Sequence, residues 1–328
     1  MLNFVFRRFL LLVPMMALMS VVAFALIQAP PGNHLTDYIA LLENLGETVD
    51  LEEIAALEKR YGLDKPIYVQ YWKWVWGILH WDLGLSIEFQ RPVQELIGER
   101  LFLTVLLGLF TIVFTWSLAI PIGIISAVKQ YSWIDYVFTF FSYLGVGTPN
   151  FLLALMIMWF VFIWFDLSVT GLFSQEYIAA PWSVGRVVDM LKHIWVPMLI
   201  LGTDGTARFT RIMRANLLDE ISKPYVETAR AKGLPEWKLV IKYPVRIAVN
   251  PLVSTVGWAL PSLFSGSLIV ATVMSLPTLG PLLLRALYSQ DMFMAGSIVL
   301  ILTGLTLIGT LISDILLALI DPRIRIGA

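Results

Sequence analysis

A ten-residue run, 225–234, carries the side chains whose types and spacing best suit specific chemistry. It reads Tyr-Val-Glu-Thr-Ala-Arg-Ala-Lys-Gly-Leu, directly after Pro224. Proline suits the first turn of a helix, and a glutamate such as Glu227 is favoured near the positive end of the helix dipole. Gly233 and then Pro235 are typical of a helix end. The pattern predicts a helix of about two turns.

The chemistry available to this helix is recognition. The small side chains of Ala229 and Ala231 allow another surface to approach closely, and Glu227, Arg230 and Lys232 offer charges for ion pairs at the rim. We therefore predict that the helix docks into a cleft of another protein. The simpler alternative for Glu227 is a solvated carboxylate at a helix start.

Two places inside hydrophobic runs carry polar residues. Thr148, Pro149 and Asn150 interrupt one run, and a proline there kinks or breaks a helix. Asp204 lies in another run, where an ionisable side chain is a functional candidate by default. Asp204 is a candidate for lining a pathway, and Asp314 is a weaker one; a structural carboxylate near a helix end is the alternative for both.

Several kinds of chemistry are disfavoured by what the sequence lacks. It has no cysteine, which excludes disulfides, thiolate metal sites and cysteine nucleophiles. His34, His80 and His193 have no partner at ligand spacing, so no metal site is predicted. No GxxxxGK[ST] string is present, so we expect the chain to bind no cofactor and to hydrolyse no ATP itself. A net charge of -1 gives no reason to expect nucleic acid as a partner.

The elements that position these residues are predicted to be membrane helices. The chain is 58% hydrophobic and 14% charged, a balance that would leave large apolar patches on a water-soluble domain. We predict an all-α integral membrane protein with six transmembrane helices. The six apolar runs are 9–29, 101–128, 137–165, 194–207, 247–274 and 292–320.

The basic residues predict the orientation. Residues 208–246 carry nine lysines and arginines against four acidic residues, so this loop should be cytoplasmic. With six spans, both termini then lie on the cytoplasmic side. Arg7 and Arg8 near one end, and Arg323 and Arg325 near the other, agree with that placement.

The segment 30–98 follows the first span and is predicted to be extracytoplasmic. A short helix is expected over 51–60. Residues 71–81 contain four tryptophans, which favours a position on the outer leaflet; a platform that stacks on carbohydrate is the alternative. The predicted organisation is therefore 1–98, the first span with this segment, and 99–325, a core of five spans with a cytoplasmic helix at about 224–234.

The run 225–234 resembles a known family. Glu227-Thr-Ala, followed after three residues by Gly233, is similar to the EAA loop of ABC importer permeases. The fuller string resembles the first permease subunit of dipeptide, oligopeptide and nickel importers. Further stretches agree with that family in order: Arg7-Arg8, 61–66 with 70–71, 81–86, 91–93 with 100–101, 276–280 and 321–325.

The resemblance implies the type I ABC importer permease fold in a bacterial inner membrane. It places the break at Thr148, Pro149 and Asn150 near the translocation route. It also implies a coupling helix that seats in a groove of an ATPase. The residues it assigns to that contact are Glu227, Thr228, Ala229, Arg230, Lys232, Gly233 and Leu234.

The implied partners are a second homologous permease, two ATP-binding cassette ATPases that carry ATP and Mg, an extracytoplasmic substrate-binding protein and membrane lipid. This chain would be a transport subunit, not an enzyme, with peptides as substrate. It departs from the family pattern at Tyr243, where a histidine is usual, and at Ala271, where an acidic residue usually precedes the threonine. Oligosaccharides or nickel are therefore alternative substrates, and an ion-driven secondary transporter is the alternative class.

Overall fold

The computed structural model describes residues 2–28, 59, 65–86, 88–255, 268–289 and 291–320. These residues are mainly helical and form two compact units. The larger unit comprises Met1–Phe6, Thr104–Pro277 and Thr306–Ala328, and the smaller comprises Arg7–Leu103 and Thr278–Leu305. The predicted division into 1–98 and 99–325 follows the sequence and stays a prediction.

Three helices and a two-stranded hairpin belong wholly or mostly to the smaller unit, together with the first parts of two longer helices. The antiparallel hairpin pairs Leu85 with Pro92. Buried side chains from the hairpin region, from the start of the helix Val93–Val128 and from the last two helices form one hydrophobic cluster that includes Val93, Ile97 and Met294. The elements are α1 (Leu2–Gln28), α2 (Ile67–Leu79), β1 (Leu85–Ser86), β2 (Arg91–Pro92) and the start of α3 (Val93–Val128), with α11 (Leu279–Tyr288) and the start of α12 (Met292–Ile320).

The larger unit is built around one long helix. Its helices are the remainder of α3 and α12, then α4 (Trp133–Gly147), α5 (Asn150–Phe165), α6 (Val184–Ile221), α7 (Pro224–Ala231), α8 (Glu236–Lys242), α9 (Pro244–Ala248) and α10 (Asn250–Ser254). A 3₁₀ turn covers Gln175–Tyr177, and residues 268–273 are also helical. Helix α6 packs against α4, α5, α9 and α10. At Gly123 of α3 a Cβ would lie 2.6 Å from that of Met213, so only glycine permits the observed approach to α6.

Three helices of the described ranges are long and apolar enough to cross a membrane, and a bent pair makes up to four. The qualifying segments are Val5–Ala25, Val93–Val128 and Phe293–Leu319, and the bent pair is Trp133–Gly147 with Asn150–Phe165. The predicted runs 101–128 and 292–320 are confirmed as apolar helices, and so is the run 9–29 up to residue 28, beyond which it lies outside the described residues. The count of six spans stays a prediction.

One further predicted span lies within a longer helix, and two other predicted segments lie partly or mostly outside the described residues. The run 194–207 is the middle of a 38-residue helix, Val184–Ile221, whose charged ends hide its length from hydropathy. Of the run 247–274, residues 256–267 lie outside the described residues. The helix predicted over 51–60 also lies outside them, apart from residue 59.

Candidate functional site

The helix predicted after Pro224 is present as α7 and ends at Ala231, slightly earlier than the predicted end near residue 234. Pro224 occupies its first turn, and Thr228 Oγ1 donates to the carbonyl oxygen of Pro224 at 2.9 Å. Gly233 adopts φ +78°, a left-handed conformation that favours glycine just beyond a helix end. The local signals that predicted this helix therefore correspond to its observed start and end.

The inner face of α7 is part of the hydrophobic core of the larger unit. Val226 is fully buried and Ala229 is 7% exposed. Both belong to a cluster that joins α7 to the membrane-type helix α3, to α6 and to α8. The other buried members are Ala119, Ala127, Phe209, Met213, Leu217, Leu239, Val240, Ala248 and Leu252. Because these side chains form one packed cluster, a displacement of α7 would be transmitted through it to α3 and α6.

The outer face of α7 is the surface left for a partner. Glu227, Thr228, Ala231 and Lys232 are exposed, as is Gly233. Their spacing of three and four residues places Glu227, Thr228 and Ala231 on one side of the helix. This side is small and weakly charged, which suits insertion into a cleft.

Ala229, which the sequence offered as a small residue for the close approach of a partner, lies in the core of this chain instead, and its part in an ATPase contact stays a prediction. Its side chain points into the cluster with Val226, because positions three apart share a helix face. A small residue at position 229 therefore fits close packing within this chain. Leu234 is half-buried and packs against the same cluster.

Two polar contacts hold α7 at its ends. At its start, the Tyr225 hydroxyl donates to Glu220 Oε2 at 2.6 Å, and Lys223 is ion-paired with the same carboxylate. Burial, and then the hydrogen bond to Glu220, raise the pKa of the Tyr225 hydroxyl. The phenol therefore stays a hydrogen-bond donor over the physiological range.

At the other end, Arg230 donates two hydrogen bonds to Glu236, Nε to Oε2 at 3.0 Å and Nη2 to Oε1 at 2.7 Å. The hydrogen bond from Arg230 holds the pKa of the Glu236 carboxyl below its ordinary value. Arg230, which the sequence offered as a docking charge, thus closes the turn between α7 and α8.

The predicted break at Thr148–Pro149–Asn150 is present. Helix α4 ends at Gly147, α5 begins at Asn150, and the two axes differ by 102°. Thr148 Oγ1 donates to the Leu144 carbonyl oxygen at 2.8 Å, and Asn150 Oδ1 is buried without a hydrogen-bond partner among the described residues.

A groove of about 370 Å³ lies beside this break, between α3, α4, α5 and α6. Its lining is mostly apolar, with a row of hydroxyls contributed by α4, α6 and the break itself. The polar members are Ser142, Thr148, Thr203, Thr206 and Thr210. The groove brings Thr148 together with α6, but Asp204 is not among its lining residues.

Asp204 has a local partner. Its Oδ2 accepts a hydrogen bond from Arg208 Nη2 at 3.0 Å, one turn further along α6, and its side chain is one-third exposed. This pair neutralises the carboxylate near the end of the predicted run 194–207. The assignment of Asp204 to a pathway stays a prediction.

Asp135 is a central residue that the sequence reasoning missed. It is 2% exposed and accepts hydrogen bonds from Arg214 Nε and Nη2, each at 2.8 Å. Ser126 Oγ and the Tyr131 backbone nitrogen also donate to it. The available signal was local: Ser132 three residues earlier caps α4 by accepting from the Asp135 backbone nitrogen.

This contact changes the interpretation of the arginines spaced along α6. Arg208, Arg211 and Arg214 recur every three residues, and basic residues at the end of an apolar run commonly contact lipid phosphate. Arg214 instead pairs with Asp135, and the Arg211 guanidinium lies 4.8 Å from the ring centroid of Tyr143.

Within the ranges that the structure describes, no group of three or more metal-ligating side chains is present.

Comparison with known proteins covers nearly the whole chain. The family described as the binding-protein-dependent transport system inner membrane component matches residues 119–326. The family that describes the N-terminal part of the same kind of membrane component matches residues 1–108. Together the two matches leave out only a short stretch within α3 and the last two residues.

Curated relatives agree. The chain is 32% identical to the oligopeptide transport system permease protein AppB of Bacillus subtilis, over 98% of this chain and 99% of that protein. It is 31% identical to the dipeptide transport system permease protein DppB of Escherichia coli K12, over 99% of each chain. The glutathione transport system permease protein GsiC of Salmonella choleraesuis is also 31% identical, again over 99% of each. The resemblance predicted from the sequence is confirmed: the chain belongs to the family of inner membrane components of binding-protein-dependent transport systems.

Proposed function

We propose that this chain is one permease subunit of an ATP-driven importer of peptides, and that α7 is its contact with the ATPase. One observation carries the proposal. Helix α7 exposes Glu227 and Thr228 on one side, while Val226 and Ala229 on the other side belong to one buried cluster with side chains of α3 and α6. An external push on this helix is therefore passed to helices that lie in the membrane.

The energy source lies in the partners. ATP and Mg would be held by two ATPase subunits, and their closure and opening would move α7. Coupling of this kind requires a membrane element with two arrangements that ATP binding stabilises differently. The family is the membrane component of binding-protein-dependent systems, which supports the presence of ATPases and of an extracytoplasmic substrate-binding protein.

The remaining assembly follows from the sequence-based topology. Six spans with both termini in the cytoplasm would place α7 on the ATPase side and 30–98 outside the cell membrane. A second, homologous permease would complete the pathway. The described spans supply one wall, with the break at Thr148–Asn150 and its groove as the candidate route; Asp204 lies on the neighbouring helix.

Peptides are the proposed substrate because the relatives named above are permeases of oligopeptide, dipeptide and glutathione systems. The groove supports this choice, since apolar walls with scattered hydroxyls suit an uncharged backbone with varied side chains. Oligosaccharides, the alternative raised by Ala271, share the need for hydroxyl partners but have no such support among these relatives. An ion-driven carrier is a different class from the family shown.

Affinity purification of the tagged full-length chain from its native membrane tests the proposal. We expect a second permease and two ATPases to copurify, with ATPase activity stimulated by a peptide-loaded binding protein. Glu227→Ala should lower this stimulation several-fold while leaving the assembly intact. Recovery of the chain alone, or stimulation by an oligosaccharide-loaded protein only, would overturn the coupling or the substrate assignment respectively.

A further inference from the structure

The helix α2 (Ile67–Leu79) has two apolar faces, of which one is buried in this chain and the other is exposed. One face, formed by Tyr71, Trp74, Val75 and Ile78, packs into a cluster with Ala23, Phe24 and Leu300. The opposite face is exposed and aromatic. Tyr68, Trp72 and Trp76 follow at intervals of four residues and are 67%, 66% and 65% exposed.

The buried face fixes where α2 lies relative to the membrane. On α1, its contacts are Ala23 and Phe24, and the Tyr71 hydroxyl shares a hydrogen bond of 2.8 Å with Ser20. These residues lie within the last two turns of the candidate span Val5–Ala25. At 1.5 Å rise per residue, they are within about 8 Å of its end.

The contacts of α2 with α12 also place α2 near the end of a candidate span. Phe293, Val299 and Leu300 pack in this cluster, and Phe293 is the first residue of the candidate span Phe293–Leu319. Leu300 lies about 10 Å from that end by the same rise. Helix α2 therefore packs beside the C-terminal end of one span and the N-terminal end of another. If the two spans are antiparallel, these two ends lie at the same membrane boundary, and so does α2.

The composition of α2 indicates that its exposed face contacts lipid. The only charged residue among its 13 is Lys73. Tryptophan and tyrosine are enriched at the headgroup level, and helices that lie in the interface bury their apolar face about 5–10 Å below it. A stripe of this kind in water would be a large exposed apolar patch.

We propose that α2 is an interfacial anchor whose aromatic stripe, Tyr68, Trp72 and Trp76, contacts the lipids of the outer leaflet. Leu79 and Trp81, 73% and 63% exposed, extend the apolar surface at its C-terminal end. The proposal rests on the smaller unit and on the orientation predicted from the basic residues, and not on the identity of the transported substrate. A stacking platform for a carbohydrate would need the same rings to face water.

The absence of cysteine from the sequence makes the test direct, because each engineered thiol is unique. Single variants Tyr68→Cys, Trp72→Cys and Trp76→Cys of the full-length chain would be labelled with a nitroxide. After reconstitution into phosphatidylethanolamine and phosphatidylglycerol vesicles, power-saturation EPR gives collision rates with oxygen, which concentrates in lipid, and with a nickel chelate, which stays in water.

Two reference sites calibrate the measurement. Leu18→Cys on the exposed side of α1 reports lipid, and Glu95→Cys on the exposed first turn of α3 reports water. The proposal predicts that the oxygen-to-nickel ratio at 68, 72 and 76 exceeds that at 95 several-fold and approaches that at 18. A ratio equal to that at 95 at all three positions, or immobilisation of the labels by added maltooligosaccharide, would overturn it.

Discussion

Asp135 and Arg214 form a two-hydrogen-bond ion pair that joins the first turn of α4 to the far part of α6, 79 residues apart in sequence. The carboxylate is buried, and Ser126 on α3 donates to the same group. Three helices of the larger unit are thus tied at one point. That point adjoins the cluster in which α7 is packed, since Met213 of this cluster precedes Arg214.

Removing Asp135 should therefore destabilise the protein. Loss of one partner of a buried pair leaves an uncompensated charge, which costs roughly 3–5 kcal/mol when both groups are fully buried. Because Arg214 is partly exposed, we expect Asp135→Ala to lower the free energy of unfolding by about 2–3 kcal/mol. Thermal unfolding in detergent, followed by tryptophan fluorescence, measures the loss.

The pair Asp204–Arg208 is the matched control. It has the same chemistry but is more exposed and spans one turn of a single helix. Asp204→Ala should change stability by about 0.5 kcal/mol or less. Equal effects of the two substitutions would contradict the central position assigned to Asp135.

The Arg230–Glu236 pair predicts a rescue. Arg230→Glu places two acidic groups across the turn that ends α7 and should reduce substrate-stimulated ATPase activity by roughly two- to fivefold, in the range of a surface ion pair. The reversed pair, Arg230→Glu with Glu236→Arg, should recover most of the activity. If the double variant stays as low as the single one, Arg230 contacts a partner directly instead.

The same pair predicts a dependence on pH. The folded protein holds the pKa of Glu236 below the ordinary value of 4.5, so the pair contributes fully above pH 4.5. Its contribution is lost only as the pH falls through the lowered pKa. A nitroxide at Ala231→Cys should keep its mobility from pH 7 to pH 5 and gain mobility only below 4.5. With Glu236→Gln present, the mobility should no longer vary with pH.

Substitution of Gly233 by alanine is predicted to strain the backbone without causing a steric clash. A Cβ at this position would meet nothing within 4 Å, but φ is +78°. Gly233→Ala should cost about 1–2 kcal/mol locally and lower ATPase stimulation without loss of assembly. A Cβ at Gly98 would also meet nothing within 4 Å, and φ there is not positive, so Gly98→Ala should be neutral or stabilising. Normal coupling in Gly233→Ala would remove the structural basis for a fixed α7.

Much of this arrangement could be predicted from local signals. Pro224 and Gly233 bracket α7, and the run 292–320 coincides with α12. The orientation of Ala229 could not be predicted, because a small residue suits both a close external contact and internal packing. Its environment depends on Leu217 and Leu239, which come from other helices.

The ion-pair partners of charged residues could not be predicted from the sequence either. Arg214 has no acidic residue three or four positions away whose pairing would suggest itself, and its actual partner is on another helix. The length of α6 was underestimated because Asp189, Lys192 and Arg208 interrupt its apolar character. Hydropathy reports where lipid can surround a helix, whereas helix length follows from backbone hydrogen bonds and packing.

Photocrosslinking from the outer face of α7 tests the docking role most directly. The full-length chain would carry p-benzoylphenylalanine at Thr228 in one variant and, as a control, at the exposed Tyr288 that is predicted to lie on the opposite side of the membrane. After irradiation of native membranes, we predict an adduct between position 228 and an ATPase subunit, changed in yield by ATP, and none from position 288. The absence of an ATPase adduct from position 228 in an assembled, active complex would contradict the proposed coupling contact.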